Sequence, residues 1–137
     1  MPVQLRKILT EVSNGFNGLK GEQVKDLQGE VTYASTIALQ GTTDNQIMDF
    51  DTGGSYMAKL GEITNAKEAQ ALVETWKKKV MAIIEGNRFE VSRDNQSTDE
   101  SEQKGYLLTS DKVNISIYSV QYTGEKNISA FLLVMRL

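Results

Sequence analysis

Leu5, Ile8, Leu9, Val12, Phe16 and Leu19 recur at helical spacing near the start of the chain, with polar residues between them. That period predicts an amphipathic helix. Gly15, Gly18 and Gly21 end it in steps, because glycine loses the most backbone freedom on entering a helix. A second helix is written more plainly. Asn65 stands at the cap position with Glu68 three residues on, the spacing of a reciprocal capping box. Ala69, Leu72, Val73, Trp76, Val80, Ile83 and Ile84 then form one apolar stripe that Gly86 stops.

Elsewhere the period falls to two. Val31, Tyr33, Ser35, Ile37 and Leu39 alternate with smaller residues, and Gly41 to Asn45 reads as a turn before a short strand, Gln46 to Asp51. Adjacent Gly53 and Gly54 suit the positive φ of a tight hairpin, after which Tyr56, Ala58 and Leu60 continue as a strand. Phe89 and Val91, Tyr106 to Thr109, Val113 to Ile117 and Ile128 to Leu137 supply the strands of the second half. The order is α-βββ-α-ββββ. Hairpin-length connections predict one α+β domain over residues 1–137, with a mainly antiparallel sheet of about six to seven strands and two amphipathic helices on one face. The predicted core is Leu5, Leu9, Val12, Phe16, Val31, Ile37, Leu39, Leu72, Val73, Trp76, Val80, Phe89, Ile115 and Ile117. The two halves share an element order without a residue-level repeat.

The final strand departs from simple alternation. Ile128, Ala130, Leu132 and Val134 suit the helix side, yet Phe131, Leu133, Met135 and Leu137 point the other way and are just as apolar. Met48, Phe50, Tyr118 and Val120 join them if the strands pair as expected. Either one helix covers each face, or the second face needs a partner, and a symmetric homodimer is the commonest solution. The interaction residues expected on this reading are Phe131, Leu133, Met135, Tyr118 and Val120.

Composition narrows the chemistry. A chain of 137 residues fits one core. Its net charge of −3, with Lys77-Lys78-Lys79 as the one basic run, argues against nucleic acid. That run falls near a helix end, where cations favour the negative end of the dipole. With no cysteine and no histidine, disulfides, thiolate nucleophiles, histidine-based triads and most transition-metal sites drop out. The longest apolar run, Ala130 to Met135, is too short to span a bilayer. The start, Met1-Pro2-Val3-Gln4, has no signal-peptide pattern, which fits a cytoplasmic protein or an exported one whose leader has been removed.

Three stretches invite a sharper reading. Residues 94–105 hold four carboxylates, one lysine and no apolar side chain. A helix-loop-helix calcium site needs glycine at its sixth position, where this chain has Asp99, so a flexible polar hairpin with no metal is expected. Pro2 could become an amino-terminal proline as in tautomerases, but the residues after it read as helix, and proline is well suited to a first turn. Phe50-Asp51-Thr52-Gly53 resembles the catalytic loop of aspartic proteases, in which two such aspartates share a proton. The resemblance would make Asp51 the catalytic candidate. Gly54 stands where that family has Ser, Thr or Ala, and the same residues also read as a hairpin turn. The pairs Asp49 with Asp51 and Glu62 with Glu68 are further carboxylate candidates of the glycosidase type. No cofactor is expected.

Phe16-Asn-Gly-Leu-Lys-Gly21, Tyr33 to Gly41 and Ala66 to Trp76 resemble a set of small bacterial α+β proteins in which a helix ending Phe-x-x-Leu-Lys-Gly leads into an antiparallel sheet. That resemblance implies a fold and no activity. A looser similarity is to type III secretion chaperones, which are small, acidic and dimeric; those finish with a helix, and this chain finishes with a strand. Taken together, a non-catalytic binding module acting through an apolar sheet face is the expected function, with a carboxylate enzyme using Asp51 or a secretion-chaperone-like protein as alternatives.

Overall fold

The computed structural model describes residues 2–25, 31–48, 54–84 and 89–136. Helix α1 (Pro2–Thr10) begins at the proline and passes into two short 3-10 turns, Glu11–Asn14 and Asn17–Leu19. Strands β1 (Lys20–Lys25), β2 (Val31–Ser35), β3 (Thr43–Met48) and β4 (Ser55–Ile63) follow. Helix α2 (Ala66–Ile83) leads to β5 (Glu90–Arg93), β6 (Gln96–Ser97), β7 (Ser101–Thr109), β8 (Val113–Tyr122) and β9 (Ile128–Arg136). All nine strands lie in one antiparallel sheet, ordered β1-β2-β3-β4-β9-β8-β7-β5, with β6 beside β7. The α+β class is as expected, with more strands than the alternation alone marks out.

This order is two four-strand meanders placed side by side. Each half runs helix, then strands, and the last strand of each, β4 and β9, meets the other at the centre. The shared element order of the halves thus becomes a mirrored strand order about the β4–β9 seam, while the helices do not follow it, since α2 alone lies across four strands.

Both helices cover the same face. Helix α2 lies across β4, β9, β8 and β7, and α1 packs beside it. Leu5, Ile8, Val12 and Phe16 from the first helical segment share one core with Val73, Trp76 and Val80 from α2 and with Tyr56, Ala58, Ile115, Ile117, Leu132 and Val134 from the sheet. Leu9, Ile37, Leu72 and Phe89 of the expected core pack at its margin, and the side chain of Val31 lies outside the described residues. Asn65 caps α2 as expected: its Oδ1 accepts from the N–H groups of Lys67 at 2.8 Å and Glu68 at 3.2 Å. The lysine run is occupied locally. Lys77 Nζ stands 4.0 Å over the Tyr106 ring and Lys79 Nζ 4.7 Å over Trp76.

Two local breaks explain where the elements stop. Gly15 and Phe16 both take the left-handed conformation, with φ of 67° and 65°. For phenylalanine that costs on the order of 1 kcal/mol or more. Full burial of its ring holds it there. Strand β2 ends at Ser35 because its Oγ donates to the Ile37 carbonyl at 2.7 Å and accepts from the Ile37 N–H at 3.2 Å. That local turn replaces the extended run expected to Leu39. Asn45 then ties the connection down, accepting from the Leu39 N–H at 3.2 Å and from the Tyr56 hydroxyl.

Candidate interaction surface

The helix-free face is built by strand parity. On β9, Ile128, Ala130, Leu132 and Val134 are buried toward the helices, and Phe131, Leu133 and Met135 fall on the opposite side, each half-buried. Register carries that division across the sheet. Leu133 sits opposite Met57 on β4 and Ser116 on β8; Phe131 sits opposite Lys59 and Tyr118; Met135 sits opposite Ser55 and Asn114. Met48 continues the row on β3, opposite Ser55. Leu107 extends it onto β7, opposite Ser116.

Four of the five expected residues thus share an accessible patch. Tyr118 and Phe131 stack with ring centroids 5.7 Å apart and planes tilted by 38°, a favourable aromatic geometry. Tyr118 also spans Gly105. A Cβ at that glycine would lie 2.6 Å from the Tyr118 Cα and 2.1 Å from the Ile117 carbonyl oxygen, so no larger residue fits without moving β8. Val120 lies on the same face but is only 7% exposed. It is packing beneath the patch rather than accessible surface.

The face is poor in charge. Among the described residues of β4, β9, β8 and β7, the ionic side chains on this side are Lys59 and Glu62, and these pair with each other at 3.5 Å. Small residues, Ser55, Ser116 and Gly105, lie between the larger ones and are buried beneath them. Burial pushes the Tyr118 hydroxyl above its ordinary pKa, with a smaller contribution from neighbouring Tyr122. Met57 and Leu107 were not singled out by the sequence pattern. Their signal was present in the strand parity, since each is one residue from a core position.

The chemical candidates are not assembled. Asp51, Asp49 and Phe50, with the whole Asp-Thr-Gly motif, lie outside the described residues. Glu62 is engaged by Lys59 and by the Asn127 side chain at 3.2 Å, whereas Glu68 occupies the first turn of α2. Among the described residues no group of three or more acidic side chains is placed to hold a metal ion. The stretch 94–105 contains β6 and the first half of β7, so the strand expected from Tyr106 starts at Ser101. No helix there or elsewhere among the described residues is long and apolar enough to cross a membrane.

A second concavity, about 690 Å³, opens at the end of the helix layer. Val12, Ile84 and Val113 form its floor, and Asp111, Lys112 and Arg136 lie around it. The mixed charges favour no one ligand, and the C-terminal ends of α1 and α2 point negative dipole toward it. No family model, no curated protein and no solved structure matches the chain. The functional reading therefore rests on the geometry of the sheet face.

Proposed function

We propose that this protein is a non-catalytic interaction module that works through the helix-free face of its sheet. One observation carries the reading: Met57, Phe131, Leu133, Met135 and Tyr118 form a continuous, nearly uncharged, half-buried row with no helix above it among the described residues. Contiguous apolar surface of this kind is uncommon on monomeric proteins and usually marks a binding site. The lack of histidine and cysteine, which removes the commonest general base and thiol nucleophile, points the same way.

Charge placed on the patch tests this. In dilute solution, Leu133→Glu should change unfolding stability by less than about 1 kcal/mol, as expected for a surface side chain. A loss above about 3 kcal/mol would make the face part of the intramolecular core and end the proposal. The enzymatic alternative is separated by assaying unstructured peptides at acidic pH: turnover that Asp51→Asn abolishes would replace this reading.

A further inference from the structure

We infer that the occupant of the face is a second copy of this chain, docked sheet to sheet about a two-fold axis. The inference rests on the interaction reading above and adds the identity of the partner.

Three properties select a second copy over other occupants. The first is width. Strands β3, β4, β9, β8 and β7 are five neighbours; at about 4.8 Å per strand and roughly eight residues of 3.4 Å each, they span roughly 24 by 27 Å. A docked helix is only about 10–12 Å across and would leave half of that surface wet. A second sheet, packing about 10 Å away, covers all of it.

Area is the second. That rectangle is roughly 650 Å² per copy, or about 1,300 Å² in total, within the standard range for a stable interface. The third is charge. Each copy carries −3, so two copies repel wherever their acidic surfaces approach. The helix-free face is where they can meet without that repulsion, since its Lys59 and Glu62 already neutralise each other. Depletion of charge at the centre marks interface cores in general, and homodimer interfaces are more apolar than those of transient complexes.

The chain carries its own probes. Met48, Met57 and Met135 lie on the face, and Met81, 40% exposed on α2, serves as reference. Solution mass and peroxide oxidation are read together on the wild type and on Phe131→Glu and Leu133→Glu. At concentrations on the order of tens of micromolar, the wild type should have twice the 15.2 kDa chain mass. Its three face methionines should oxidise about tenfold more slowly than Met81, because oxidation follows exposure. Both charged variants should be folded monomers without that protection, and diluting the wild type should reproduce them if a variant fails to fold. A wild-type mass of 15.2 kDa would overturn the inference. If the face methionines then oxidise as fast as Met81, the open face survives and takes a different partner; if they stay protected, the interaction reading fails too. A dimer that persists in both folded variants also overturns it, by placing the contact elsewhere.

Discussion

Leu132 and Leu133 are adjacent on β9, the same residue type in the same strand, yet Leu132 is fully buried and Leu133 stays half-exposed. The difference lies entirely in what stands above each face. On one side, Trp76, Val73 and Val80 of α2 and Leu5, Ile8 and Phe16 of the first helical segment close over the sheet. On the other, β9 is just as apolar, with Phe131, Leu133 and Met135, and nothing in the chain's described residues covers that row. An apolar pattern therefore states that a face needs cover; the count of helices and the side they take state whether the chain provides it.

The largest effect should come from removing the cover itself. Trp76 is 3% exposed and belongs to the core beneath α2. Trp76→Ala should cost roughly 3–5 kcal/mol in chemical denaturation. A loss below about 1 kcal/mol would show that α2 does not seal this face. The adjacent leucines divide the faces directly. Leu132→Ala should cost about 2–5 kcal/mol, and Leu133→Ala less than about 1 kcal/mol in dilute solution. Equal losses would erase the distinction between the two sides. Next in size is Gly105→Ala, which forces a methyl against the β8 backbone and should cost about 1–3 kcal/mol. A neutral outcome would mean that β7 and β8 are not held at this separation.

Much of this division was legible in the sequence. The β9 alternation named both faces, and Asn65 marked the start of α2 with the cap it makes. Strand β1 was not legible: its single large apolar residue, Val24, is 42% exposed. At the edge of the sheet, with no strand beyond it, β1 carries no apolar alternation for the pattern to read. Ile37 and Leu39 misled in the opposite sense, because their period matched a strand while the Ser35 hydroxyl turned the backbone away. Phe131, Leu133, Met135 and Tyr118 lie on the face that parity assigns them, whereas Val120 shares it but is shielded by its neighbours. Parity gives a side chain's direction and says nothing of its depth.

The smallest effect at neutral pH, and the finest comparison, uses one tyrosine from each face. Tyr56 is buried toward the helices and its hydroxyl donates to Asn45; Tyr118 lies on the helix-free face against Phe131. Tyr56→Phe should cost about 1 kcal/mol at neutral pH by losing that hydrogen bond, while Tyr118→Phe should be close to neutral. The two converge in alkali, because burial raises both hydroxyls above the ordinary value of 10.0. Below pH 10 the folded and unfolded chains both keep these protons, so neither group makes stability depend on pH. Above it, the unfolded chain releases protons that the folded chain retains, and stability must fall as pH rises. Denaturation of wild type and Tyr118→Phe on both sides of pH 10 should show the variant losing less stability in alkali. An identical alkaline loss would mean that the Tyr118 hydroxyl titrates as it does in the unfolded chain, and that even the small residues around it leave the patch fully open to water.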